Sequence, residues 1–331
     1  MINVDKTSQP EIIAIIGPTA SGKSLLADRL AQRIGGEVIS ADSMQVYRGM
    51  DIGTAKIPLD ERSVPYHGID LVDPGETFTA ALYQRYARAA ISEIHTRGQR
   101  VVFCGGTGLY LRAALDDFDL DEGREDESGI TSASLRERLN KQAEELGAEA
   151  FHALLASSDP ESAGLIHPNN TRRLIRAFEL LEQGSSYAES SAGFSRFESA
   201  YPLRLIGLSL ERELLYGLID ARVDAMLADG LLGEVQVLLS EGFSEALTAM
   251  QAIGYKELVP VLAGECPLGE AVDAIKQATR HYAKRQLTWF GRDPRVEWLD
   301  ISDLHSAHQA GRIDVGDFAR LLLSRALTLL Q

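Results

Sequence analysis

The sequence predicts an α/β fold, a parallel sheet flanked by helices, with a mainly helical insertion. Short apolar runs alternate with helical periodicity through the first third of the chain, and a glycine-rich turn separates the first run from the first helix. The alternation then gives way to an acidic and helical stretch before one further apolar run. Strand–helix alternation implies parallel pairing, because only a crossover brings the next strand back in the same direction. The chain has 331 residues, a length that suggests about two domains. Its 45% hydrophobic content excludes wholesale disorder, even with a formal net charge of −15.

In order, Glu11–Ile16 reads as a buried strand and Leu25–Ile34 as a helix with Leu26, Leu30 and Ile34 on one face. Glu37–Ser40 is a second strand, Leu82–His95 a helix and Arg100–Cys104 a third strand. Composition shifts at Asp116, and the acidic segment to Glu127 reads as a solvated loop or boundary. From Ser134 to about Gln183 the pattern is helical, with Ser134 and Glu137 at capping-box spacing and prolines at 160 and 168 as punctuation. The Ser-, Ala- and Gly-rich stretch Gly184–Ser199 reads as a mobile linker. Leu203–Leu208 is a strand expected to rejoin the first sheet, and the rest is helical with breaks at Gly230, Gly242, Gly254 and Gly264. Residues 1–117 and 200–331 are therefore expected to form the core, and 118–199 an inserted helical domain.

No apolar run approaches the ~18–20 residues of a membrane span, and the N-terminus carries no signal-peptide pattern. Cys104 and Cys266 are too few for a disulfide framework or a four-thiolate site. A soluble cytoplasmic protein is expected, with Cys104 a small buried hydrophobe. The acidic total argues against general nucleic-acid binding, so any such role must rest on local basic patches.

Gly17-Pro18-Thr19-Ala20-Ser21-Gly22-Lys23-Ser24 matches G-x-x-x-x-G-K-[ST] between a strand and a helix, the context that motif requires. This makes the core P-loop NTPase-like. Glycines let backbone N–H groups turn toward an anion at the helix N-terminus, Lys23 reaches the phosphate, and the Ser24 hydroxyl is placed to bind Mg²⁺. The motif specifies a di- or triphosphate without saying which. No N-K-x-D of a GTPase is present, and Arg100–Cys104 ends in Gly105-Gly106-Thr107-Gly108 rather than in an acid. The acid that does emerge from a strand is Asp42. Ligands in open α/β sheets bind beyond the carboxyl ends of strands, so Asp42 is expected to face the phosphate loop. There it could serve Mg²⁺ indirectly, accept a proton, or simply form a turn.

Gly17–Ser24, Asp42-Ser43-Met44-Gln45-Val46-Tyr47, Gly49–Lys56 and Gly105–Tyr110 occur in an order and spacing that resembles the tRNA dimethylallyltransferase (tRNA isopentenyltransferase) family of bacterial type. The likeness continues through His167–Arg173, Met250–Lys256 and Lys284–Phe290, covering roughly residues 11–300. The resemblance implies transfer of the dimethylallyl group of dimethylallyl diphosphate to the exocyclic amine of the adenosine 3′ of the anticodon. The phosphate loop would then hold the donor's diphosphate, with Thr19 and Ser21 assisting, and Mg²⁺ as cofactor. It further implies Asp42 as general base, Thr107 and Arg222 at the reacting centre, and Ser43, Met44 and Gln45 beside the adenosine. Gln251 and Lys256 are implied as RNA contacts by their motif. A surface ion pair is the plainer reading of Arg222.

Two basic regions suit an anticodon stem-loop as partner. Arg172, Arg173 and Arg176 share one side of a helix, which could equally be a solvated face. Arg280, Lys284 and Arg285 lie among Tyr282, Trp289 and Phe290, a mixture that suits phosphate contact plus base stacking, or a helix with its aromatics buried. No zinc module is expected after Cys266, no membrane is involved, and a monomer is anticipated. The rival readings are an adenylate isopentenyltransferase acting on free AMP, ADP or ATP, a small-molecule P-loop kinase, and a non-catalytic nucleotide-binding switch.

Overall fold

The computed structural model describes residues 10–120, 132–242 and 249–331. Six strands form one sheet in the order β3-β2-β4-β1-β5-β6, every neighbouring pair parallel. They are β1 (Ile12–Ile16), β2 (Gly36–Ala41), β3 (Tyr66–His67), β4 (Arg100–Gly105), β5 (Leu203–Ser209) and β6 (Val296–Asp300). Between the first four lie α1 (Lys23–Ile34) and α2 (Ala80–Thr96), and α3 (Gly108–Leu115) follows β4.

The strands are apolar throughout because both faces of the sheet are covered. In β1, Ile12, Ala14 and Ile16 pack with Ala87 and Ile91 of α2 and Leu111 of α3. Ile13 and Ile15 point the other way, onto Leu26 and Leu30 of α1 and onto Phe318 and Leu322 of a C-terminal helix. All four isoleucines of β1 are at most 3% exposed. Burying each one stabilises the fold by roughly 1.5–3 kcal/mol, so the strand preceding the phosphate loop is its firm base.

The chain divides into two compact units, residues 1–116 with 199–331, and 117–198. The second unit contains α4 (Ser132–Leu146), α5 (Ala148–Ser158), α6 (Pro160–Leu165), α7 (Thr171–Glu182) and α8 (Tyr187–Ser195). Leu139, Phe151, Leu155, Leu174 and Ala177 form its own core. Asp159 caps α6 through the Ser162 N–H, with Pro160 in the first turn where its missing N–H costs nothing. After the return come α9 (Arg212–Ala228), α10 (Leu231–Ser240), α11 (Val259–Leu262), α12 (Leu268–Phe290), α13 (Ser302–Gln309) and α14 (Val315–Leu329). None of the described helices is long and apolar enough to cross a membrane.

The late strand rejoins the sheet beside β1 as expected, but several local expectations are corrected. Ser134 lies inside α4, which starts at Ser132, so it is not the cap. The Gly184–Ser199 stretch is not a plain linker: α8 occupies most of it, started by the Ser186 hydroxyl accepting from the Ala188 N–H. Asp116 is 1% exposed rather than solvated, its carboxylate held by Arg112 and Arg295. The part of the acidic segment from 121 to 127 lies outside the described residues. Two short edge strands, β3 and β6, went unread. The sequence Val-Glu-Trp-Leu-Asp of β6 has two charges in five residues because an edge strand is only half covered.

Candidate functional site

Register builds the site. Across three adjacent strands Ile16 pairs with Gly105 and Gly105 with Ala41, so Gly17, Gly106 and Asp42 leave the sheet side by side at its carboxyl edge. The Thr107 N–H donates to the Ala41 carbonyl at 3.1 Å, carrying the pairing one step beyond the strands.

In the phosphate loop Ala20 (φ +65°) and Gly22 (φ +82°) are left-handed, separated by Ser21. Such alternation turns successive N–H groups to one concave side, an anion nest. Ala20 is strained there, at a cost of roughly 1–3 kcal/mol for a residue with a Cβ. Gly22 precedes α1 with no side-chain cap, leaving the first-turn N–H groups to an anion. Ser21 is fully buried and its hydroxyl has no hydrogen-bond partner. The Lys23 ammonium donates to the Pro18 carbonyl at 3.2 Å. Burial depresses the Lys23 pKa and the charge of Arg222 adds to this, while Cys104 and Asp42 oppose it.

Arg222, on α9, is likewise depressed by burial and supported by Asp42. Lys23, Asp42 and Arg222 therefore stand within one another's fields, and the surface ion pair is not the setting of Arg222. The Asp42 carboxylate accepts from the Met44 N–H at 2.9 Å, which fixes its turn. Thr107 accepts from the Ser43 N–H at 3.1 Å and donates to the Ser43 hydroxyl at 3.3 Å. Beneath them Tyr83 and Tyr110 stack with ring centroids 3.9 Å apart, and Tyr83 donates to the Ser40 carbonyl at 2.8 Å.

These donors fit a magnesium ion. The Cys104 thiol reaches the Ser24 hydroxyl at 3.9 Å, and burial pushes its pKa up to about 11 despite the nearby Lys23 ammonium. It therefore stays a protonated, soft group, and the Ser24 oxygen keeps acceptor capacity for a hard cation. The Ser24 oxygen, together with phosphate oxygens and water, suits the sparse protein coordination typical of Mg²⁺.

Gln45 is committed internally: its oxygen accepts from the Ser40 hydroxyl at 2.7 Å and its amide donates to the Thr54 carbonyl at 3.1 Å. The adjoining Gly49–Lys56 loop is held from both sides. Lys56 donates to Asp51 at 2.7 Å and to Asp70 at 2.5 Å. On the other side Glu234 of α10 accepts from the N–H groups of Asp51, Ile52 and Gly53 at 2.9, 2.7 and 3.2 Å and from the Tyr255 hydroxyl at 2.5 Å. A carboxylate serving four donors leaves them all unmatched when removed. Glu234→Ala is expected to cost about 2–4 kcal/mol, read as a lower urea midpoint with an unchanged slope.

The RNA-contact candidates are spread more widely. Gln251 and Lys256 are exposed, the latter 3.7 Å from Glu257. Arg280 is paired with Asp220 at 2.6 Å, whereas Lys284 and Arg285 lie exposed on α12, Arg285 over the Tyr282 ring at 5.7 Å. The aromatics divide: Phe290 is buried, whereas Trp289 is 38% exposed beside Gly108. In the second unit Arg172 and Arg173 are exposed on α7 and Arg176 reaches Glu179 at 3.3 Å. Sequence reasoning gave no role to Glu234, set Tyr282 among the aromatics of a stacking surface, and gave none to Gln286. The last two stand at i and i+4 on α12, a polar pair facing inward, which is the signal that was available.

A family model described as IPP transferase matches residues 45–293, and one described as isopentenyl transferase matches residues 10–63. A tRNA dimethylallyltransferase of Geobacillus thermodenitrificans is 47% identical over 295 residues, covering 88% of this chain and 91% of that protein. The crystal structure of a full-length tRNA isopentenylpyrophosphate transferase from Bacillus halodurans superposes with a TM-score of 0.67 at 41% identity, covering 96% of each chain. A eukaryotic dimethylallyltransferase acting on tRNA gives a TM-score of 0.76 at 31% identity, covering 90% of this chain and 76% of that one.

Proposed function

The chain belongs to the IPP transferase family, and on that footing we propose that it is a tRNA dimethylallyltransferase. It transfers the dimethylallyl group of dimethylallyl diphosphate to the exocyclic amine of the adenosine 3′ of the anticodon, releasing diphosphate. The observation that supports this most is the division of charge at the carboxyl edge of the sheet. Cations and backbone N–H groups gather on the phosphate loop, and one carboxylate, Asp42, stands opposite them.

Departure of diphosphate from an allylic carbon concentrates negative charge on the leaving oxygen. The N–H groups of the loop, Lys23 and Arg222 are placed to stabilise that charge as it grows. Mg²⁺ held by the Ser24 hydroxyl would supply further neutralisation of the diphosphate. On the other side, the adenine amine attacks the carbon whose bond to oxygen breaks, and its proton passes to an Asp42 carboxylate oxygen. Thr107 holds the Ser43 backbone and so the Asp42 turn. The target base must leave its stack to reach this pocket, and Trp289, Lys284 and Arg285 offer stacking and phosphate contacts nearby in sequence.

The test is transfer of label from radiolabelled dimethylallyl diphosphate, with Mg²⁺, to unmodified tRNA or to AMP. Label on tRNA is expected. Label on AMP alone would reject tRNA as acceptor, and γ-phosphate transfer from ATP without prenylation would place the chain among kinases.

A further inference from the structure

The amide of Gln286, 4% exposed on α12, is used at both ends. Its oxygen accepts from the Thr19 N–H of the phosphate loop at 2.9 Å, and its nitrogen donates to the Gly106 carbonyl at 3.1 Å. Tyr282, one helical turn earlier, lies half-buried in the electrostatic neighbourhood of Asp42, Thr107 and Gln286. Thr107 in turn holds Ser43. Hydrogen bonds therefore run from Thr19 through the Gln286 amide to Gly106, and from the next residue, Thr107, to Ser43, joining the loop that grips the leaving group to the turn that carries the base. Gly106 is required by the same arrangement, since a Cβ there would collide with the Gln286 amide.

We infer that Gln286 is a positioning residue for the transfer step: it sets the separation and angle between the donor loop and Asp42. This rests on the function proposed above. An in-line displacement needs its reacting atoms aligned, and a misplacement of about 1 Å costs on the order of a hundredfold in rate. A primary amide is the one side chain that accepts at Thr19 and donates at Gly106. In Gln286→Glu the Thr19 bond survives, while a carboxylate oxygen is set against the Gly106 carbonyl. Gln286→Leu removes both bonds at a similar side-chain volume.

The experiment is single-turnover transfer of labelled dimethylallyl to an unmodified anticodon stem-loop at saturating donor and RNA. Binding of the unreactive dimethylallyl thiolodiphosphate is measured alongside. Each variant is expected to slow transfer by about ten- to hundredfold while analogue affinity stays within about threefold. Wild-type transfer rates in Gln286→Leu would overturn the inference. So would loss of analogue binding in step with transfer. A wild-type protein that labels no RNA defeats the proposed function instead, which keeps the two failures apart.

Discussion

Asp42→Asn is expected to slow prenyl transfer by about 10²–10⁴-fold, while affinity for dimethylallyl diphosphate stays within about threefold. Asparagine matches the size of the native side chain, and its amide oxygen still accepts from the Met44 N–H that fixes the turn at 2.9 Å. What it cannot do is take the proton of the attacking amine. The loss should therefore appear in the chemical step under saturating donor and RNA. Should donor affinity collapse together with turnover, Asp42 would be serving mainly the metal.

Lys23→Met gives the complementary result. Losing a charge-assisted hydrogen bond to phosphate costs about 1.5–3 kcal/mol, roughly ten- to hundredfold in donor affinity. The pH dependence has a definite sign. Burial lowers the Lys23 pKa from 10.5, so the fold disfavours its charged form and the unliganded protein gains stability as pH rises from the lowered value toward 10.5. A bound diphosphate favours the charged form instead, so its affinity is present below the Lys23 pKa and is lost as pH rises through it. Pyrophosphate with Mg²⁺ should therefore raise the wild-type melting temperature strongly at neutral pH and progressively less at alkaline pH. In Lys23→Met the increment should be small and nearly flat. An alkaline decline of equal size in that variant would show that another group titrates.

The phosphate loop, the parallel sheet and the position of Asp42 were legible because each depends on local pattern: an apolar run, a glycine-lysine turn, an acid at a strand end. Arg222 was legible only through its motif. Nothing local in Arg222-Val223-Asp224 says that the guanidinium is drawn inward beside Asp42 rather than outward to an acid. Gln286 and Glu234 were illegible for a deeper reason. Their partners lie 267 and 183 residues away in sequence, at Thr19 and Asp51, and side-chain-to-backbone bonds leave no compositional trace. The edge strands failed for lack of two-sided burial, and α8 because small residues such as those of Gly184–Ser199 fit either a linker or a helix that packs closely.

The second unit leaves and rejoins the first at Asp116 and Ser199, which face each other in an antiparallel bridge. The Ala200 N–H donates to the Leu115 carbonyl at 2.8 Å, and Arg295 grips both Asp116 and Ser199. Because entry and exit already touch, each doubling of a flexible segment hung between them adds only about 0.6 kcal/mol to the cost of closing the core. The segment is thus a cassette. Its length can change at small entropic cost without disturbing the sheet that carries the phosphate loop.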